Sequence, residues 1–148
     1  MAKANGKVVE ELERLLADSY TLYLKTHNFH WNVPGPMFTT LHTLFMTQYG
    51  ELALAVDEVA ERIRTLGSPA PGSYTAFAKL AAVKEAKGVP AANQMVRQLT
   101  ADQATVVQAA QRVVAAAQAS GDEGSADLGI RRIQVHEKNA WMLRVHLE

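Results

Sequence analysis

The sequence predicts an all-α protein, one bundle of four long helices with a long connection in its middle. Apolar residues recur at three- and four-residue spacing over most of the chain, and turn-forming residues cluster in only a few places. No segment alternates apolar and polar residues as a half-buried strand does. At 148 residues and 48% hydrophobic, the chain is long enough for one core and short for two, so a single domain over residues 1–148 is expected.

Val8, Leu12, Leu15, Leu16, Tyr20, Leu22, Tyr23 and Phe29 set a first helix from about Lys7 to the breaker Asn32-Val33-Pro34-Gly35-Pro36. Pro36 suits the first position of a second helix, with Phe38, Leu41, Phe45, Leu52, Val56, Val59, Ile63 and Leu66 facing the core until Gly67-Ser68-Pro69. The stretch from Pro69 to Pro90 is too long for a tight turn. Within it, Ser73 followed by Tyr74, Ala76, Phe77 and Leu80 reads as a short N-capped helix. Pro90 then opens a third long helix carrying Met95, Leu99, Val106, Val113 and Ala117. Gly121 and Gly124 separate it from a fourth carrying Ile130, Ile133, Ala140, Trp141 and Leu147. Tight connections at both ends and a long crossover in the middle match the ferritin-like variant of the four-helix bundle.

Composition narrows the chemistry. With no cysteine, disulfides, thiolate nucleophiles and cysteine-held metal clusters are excluded, and any metal must sit on His, Asp or Glu. The start passes directly into a charged amphipathic pattern without an apolar signal segment, and no apolar run is long enough to span a bilayer. A cytoplasmic location, with no membrane partner, is the expectation. Fifteen basic and fifteen acidic residues cancel, so any nucleic-acid contact would need a local patch.

Bundles of this connectivity often hold two iron ions through Glu-x-x-His pairs, yet no Glu here is followed by His three residues later. The usual site inside the bundle is therefore disfavoured. The second helix instead carries His42, Met46, Tyr49, Ala53, Asp57 and Glu61 along one side. Asp57 and Glu61 lie one turn apart, but His42 is fifteen residues from Asp57, roughly 22 Å along a helix. One chain cannot close that gap. His30 can reach His42 across the Pro-Gly-Pro turn, so histidines gather at one end of the stripe and carboxylates at the other. An antiparallel two-fold contact between two copies would join them into two complete sites per dimer. Taken singly, a helix-end histidine or a one-turn Asp/Glu pair is an ordinary structural or solvated feature. That reading is kept for His27, His136 and His146, for Arg62 and Arg64 as solvated or paired cations, and for Tyr20, Tyr23, Phe29 and Phe38 as core.

The segments THNFHWNVPGPMFTTLH and QYGELALAVDEVAERIRTLG closely resemble the hallmark region of the Dps family of mini-ferritins. The likeness covers His30, Trp31, His42, the Asp57-x-x-x-Glu61 pair and the Ala-Glu-Arg-Ile-Arg-x-Leu-Gly ending, with a weaker match at Lys138-x-x-Trp141. It implies a homododecameric shell that oxidises ferrous iron with hydrogen peroxide, or oxygen, and stores ferric mineral, protecting against oxidative damage. In that reading His30 and His42 of one subunit and Asp57 and Glu61 of another hold the iron. Trp31 stands beside it as an electron donor or radical trap, with plain interface packing as the competing role. The family usually has a carboxylate one turn after the second histidine, and this chain has Met46, a poor ligand for hard ferric iron. The resemblance also places an acidic iron-entry pore at the start of the fourth helix. Asp127 and Glu123 are its first candidates and Asp122 the third, against the plain role of complementing the helix dipole, about 0.3–1 kcal/mol each.

Two other functions compete. Many members of that family coat DNA through lysine-rich tails, which would make the protein a nucleoid-associated DNA protector with little ferroxidase activity. Only Lys3 and Lys7 stand at the start of the first helix, so few phosphates could be neutralised and DNA binding is expected to be weak. The third reading is a helical oligomer without metal chemistry, whose stripe is an ordinary interface.

Overall fold

The computed structural model describes residues 2–148, with side chains from Asn5 onward. Five α-helices follow one another: α1 (Ala2–Asn32), α2 (Phe38–Thr65), α3 (Tyr74–Leu80), α4 (Ala92–Ala119) and α5 (Glu123–Arg144). A single 3-10 turn, Val145–Leu147, ends the chain, and no strand occurs among the described residues. α1 packs along α2, α4 along α5, and α1 along α4, while the short α3 lies on α1. This is the ferritin-like bundle, with a helix inside its long crossover.

The core collects the inward residues of all four long helices, with Leu12, Phe29, Phe45, Ile63, Met95 and Leu143 fully buried. Each contributes about 1.5–3 kcal/mol relative to an exposed position. Gly129 sets the distance between α5 and α4: a Cβ there would stand 2.8 Å from Val114 Cγ2 and 3.1 Å from the Ala110 carbonyl oxygen. Only a residue without a side chain lets the helices meet this closely.

Several boundaries and faces differ from expectation. Pro36 lies in a turn, not at the first position of α2: the Phe38 N–H donates to the Gly35 carbonyl (3.1 Å), which puts Pro36 second in a four-residue turn, a place its fixed φ suits. Gly35 takes φ 92°, which an L side chain rarely adopts. Pro90 likewise precedes α4, and α5 begins at Glu123 rather than after Gly124 because Asp122 caps it. Phe38 is exposed and not core, and its ring stacks on His42 with centroids 4.8 Å apart. Ile130 and Trp141 are also exposed. The inward side of α5 is instead held in part by Arg132 and His136, so a search for apolar periodicity places its face wrongly.

The crossover is tied down by buried charge. Asp18 on α1 accepts from the backbone N–H groups of Ala82 (2.7 Å) and Val83 (2.9 Å). Lys25, two turns further along the same face of α1, donates to the Lys84 carbonyl and pairs with Asp102 of α4, both at 2.8 Å. Burial raises the Asp18 carboxyl above the ordinary range, against the pull of its two N–H donors. Ser73 caps α3 as expected, accepting from the Ala76 N–H at 3.2 Å.

Candidate metal centre

His30 lies in the last turn of α1 and His42 in the second turn of α2, and the Gly35 turn folds one onto the other. The rings stack with centroids 3.7 Å apart and planes 16° from parallel. His30 Nδ1 bonds the His42 carbonyl oxygen, and His42 Nδ1 bonds the His30 carbonyl oxygen, both at 2.7 Å. A carbonyl oxygen only accepts, so each Nδ1 carries the hydrogen, and in the neutral form of each ring the lone pair stands on Nε2. The His42 bond also satisfies one of the free carbonyls at the end of α1. Two imidazole donors are thus fixed in tautomer and orientation before any cation arrives, the outer-shell arrangement that metal-binding histidines use.

Around the pair stands a group of rings. Tyr49 meets His30 edge to face at 5.1 Å, and His27 lies between Tyr49 (4.4 Å) and Trp31 (3.9 Å). Burial, and then the neighbouring His30, lower the pKa of His27, so it is neutral at pH 7. Trp31 itself is 58% exposed. The sequence reading missed the place of His27, although its spacing of three and four residues from His30 and Trp31 puts all three on one face of α1. Tyr49 points inward to these rings and to Tyr23 (5.9 Å), more than to the outer stripe.

Further along α2, Asp57 and Glu61 are exposed one turn apart, and neither takes part in an ion pair among the described residues. Met46 and Ala53 are exposed with them. Leu54, 76% exposed, adds an uncovered apolar side chain to the same region. Among the described residues no three His, Asp or Glu side chains of one chain converge. The structure therefore brings His30 to His42 and sets Asp57 beside Glu61, but it keeps the two pairs apart along α2.

The acidic residues before and within α5 have unequal surroundings. Asp122 caps the helix by accepting from the Ser125 N–H (3.0 Å) and hydroxyl (2.6 Å), and Arg62 donates to it at 2.8 Å. Burial alone would raise its carboxyl, but the Ser125 bonds and the Arg62 charge together pull it below the usual range. Asp122 is thus occupied structurally, whereas Glu123 and Asp127 are exposed, the latter pairing with Arg131 at 3.1 Å. Lys7 pairs with Glu11 at 2.9 Å, and the side chain of Lys3 lies outside the described residues. His146 donates to the Met142 carbonyl at 2.9 Å, and Arg64 to that of Ser68 at 3.1 Å. No helix is long and apolar enough to cross a membrane among the described residues.

The profile of the ferritin-like domain family matches residues 9–148. A "low temperature-induced protein" of Nostoc sp. is 41% identical over 146 residues, covering 95% of this chain and 80% of its own. "DNA protection during starvation protein 2" of Bacillus anthracis is 36% identical over 143 residues, covering 97% of this chain and 98% of its own. The solved Dps structure from Vibrio cholerae O1, described as a member of a broad superfamily of ferritin-like diiron-carboxylate proteins, superposes with a TM-score of 0.95 at 31% identity. It covers 99% of this chain and 92% of its own. The fold and site thus define a ferritin-like protein. Within that class, the chain belongs to the Dps family.

Proposed function

We propose that this protein oxidises ferrous iron and stores the product, acting as one Dps-type domain that works only in company with further copies of itself. The observation that carries this reading is the reciprocal His30–His42 hydrogen bonding, which holds two Nε2 lone pairs at one end of a stripe whose carboxylates lie at the other. An antiparallel contact between two α2 stripes brings Asp57 and Glu61 of a second subunit to those nitrogens. Exposed Trp31, Phe38, Met46 and Leu54 give that contact apolar area to bury.

Two ferrous ions delivered to such a site each surrender one electron to hydrogen peroxide. The O–O bond breaks, two protons are taken up, and two waters leave, so no hydroxyl radical is released. With each Nδ1–H held by a backbone carbonyl, Nε2 is the atom by which His30 and His42 bind the ion. Asp57 and Glu61 offset its charge as it becomes ferric, and Trp31, next to His30 in sequence, is placed to supply an electron when only one ion is present. Met46 contributes no hard donor, so one ion is held more firmly than a second. Closed as a homododecamer in the cytoplasm, the shell keeps ferric mineral inside and takes up iron past Glu123 and Asp127, with Asp122 behind them. DNA binding is weak, because net charge is zero.

The test is ferrous titration of metal-free protein with peroxide, and separately with oxygen, followed by stopped-flow absorbance and light scattering. Fast oxidation by a closed dodecamer, lost in Asp57→Ala without loss of the shell, is expected. A stable monomer that oxidises iron at the same rate would overturn the reading, and a gel shift at physiological salt as strong as that of a lysine-tailed protein would favour the DNA-coating function.

A further inference from the structure

Away from the α1–α2 turn, a second group of ligand-type donors converges inside the bundle. Glu51 of α2 presents both carboxylate oxygens to the Arg132 guanidinium of α5, Oε2 to Nη1 at 2.5 Å and Oε1 to Nη2 at 3.0 Å. The same Nη2 donates to His136 Nε2 at 3.0 Å. His136 Nδ1 in turn donates to Gln103 Oε1 of α4 at 2.6 Å, which fixes the tautomer and leaves Nε2 as the acceptor. His136 and Gln103 are buried, the Arg132 side chain is 5% exposed, and that of Glu51 is 43% exposed, so the cluster reaches solvent at the carboxylate edge.

A bidentate carboxylate and an imidazole Nε2, with the other ring nitrogen oriented by an amide oxygen on a neighbouring helix, form a donor set suited to a divalent cation. Here three donor atoms face one guanidinium. Burial, and then the charge of Arg132, hold the pKa of His136 at about 3, so its lone pair is free of protons throughout the neutral range. Arg132 Nε has no partner, so the guanidinium is matched to the donors on one side only.

We infer that Arg132 is a built-in cation: its guanidinium fills a latent divalent-metal site made by Glu51 and His136, and so closes the bundle interior to metal ions. An ion held there by a buried histidine would stay, whereas a substrate ion has to leave. With the interior filled from the chain's own side chains, the bundle needs no metal to fold, and the donors near its surface are the ones left for exchange. This inference does not rest on the proposed iron chemistry, and it is tested where that chemistry has been removed.

Cobalt(II) is the probe, because its visible absorption reports coordination by nitrogen and oxygen without any turnover. In a His42→Ala background, Arg132→Ala and Arg132→Gln are each compared with the unchanged Arg132, by equilibrium dialysis and by thermal unfolding with and without cobalt. The glutamine variant retains an amide donor for Glu51 and His136 should alanine fail to fold, and both are also refolded with cobalt present. One additional cobalt per subunit in either variant, a rise in its unfolding temperature on adding cobalt, and loss of both when His136→Gln is added are expected. If neither variant takes up more cobalt than the Arg132 protein under either regime, or if uptake survives His136→Gln, the inference is overturned.

Discussion

The two histidine clusters of this bundle start from the same chemistry and end in opposite states. At the α1–α2 turn, His30 and His42 each spend Nδ1 on a backbone carbonyl and leave Nε2 open. Inside the bundle, His136 spends Nδ1 on Gln103, and its Nε2 is capped by Arg132. The first cluster lies beside an exposed tryptophan and lacks carboxylates of its own chain, while the second has its carboxylate and its cation already in place. Under the proposed function the open donor set is completed by a partner subunit and an ion, whereas the closed one is completed within the single chain. Which state a histidine reaches depends on what the packed helices bring to its second nitrogen, not on the imidazole.

The largest effect is expected from breaking the open cluster. His42→Ala removes one donor and the ring stacked on His30, while the bond of His30 Nδ1 to the residue-42 backbone carbonyl remains, and should slow the fast phase of ferrous oxidation by about 100-fold or more. The far-ultraviolet circular dichroism should stay unchanged. Retention of the fast phase would remove His42 from the site.

Breaking the closed cluster should do the reverse. His136→Ala leaves the Gln103 amide oxygen without its donor and Arg132 with Glu51 as its one partner, and opens a cavity, costing about 3 kcal/mol in urea unfolding, while oxidation in the still-folded protein is little altered. pH sharpens the contrast. His136 in the folded chain has a pKa of about 3 against a usual 6.5, so below pH 6.5 the unfolded chain binds the proton that the folded one refuses. Its contribution is complete above pH 6.5 and declines as the pH falls toward 3, by up to about 1.4 kcal/mol per unit. Stability profiles of wild type and His136→Gln should therefore converge as the solution is acidified. Parallel profiles would show that this histidine does not govern acid sensitivity.

A smaller change is expected at Met46, one turn from His42 and 45% exposed. Met46→Glu supplies a hard oxygen donor beside the open cluster and should tighten ferrous binding and speed oxidation by several-fold, about 1 kcal/mol. If its role is to fill apolar space between subunits, the variant will instead assemble poorly, and light scattering on the same preparation separates the outcomes. The smallest effect belongs to carboxylates outside both clusters. Joint neutralisation of Glu123 and Asp127 should slow iron uptake by only a few-fold, through weaker attraction of the incoming cation, and leave assembly intact. Unchanged uptake would assign both residues to the helix dipole alone.

Much of the architecture was legible in the residues. Four helices and the capped helix in the crossover followed from apolar spacing and from Ser73. The approach of His30 to His42 followed from the short Pro-Gly-Pro turn. The reading went astray where the interior is polar. Ile130 and Trp141 were placed in the core because apolar periodicity was the only signal, while Arg132 and His136 hold the buried side of α5. The same blind spot left His136 without a role, since Gln103, which it bonds, and Glu51, which it meets through Arg132, are 33 and 85 residues away in sequence and no local pattern joins them.

By itself, the sequence determined the helical class, the separation of histidine and carboxylate half-sites along α2, and the absence of any thiol chemistry. These depend on local spacing and on residue inventory, which need no knowledge of distant neighbours. Only the tertiary structure decided the tautomers of His30 and His42, the ring of His27 between Tyr49 and Trp31, the capping role of Asp122 and the guanidinium between Glu51 and His136. Each of these turns on which atom meets which across two helices. Hydrogen-bond direction and the cost of burying a charge are settled there within a few tenths of an ångström, a scale that residue spacing does not encode.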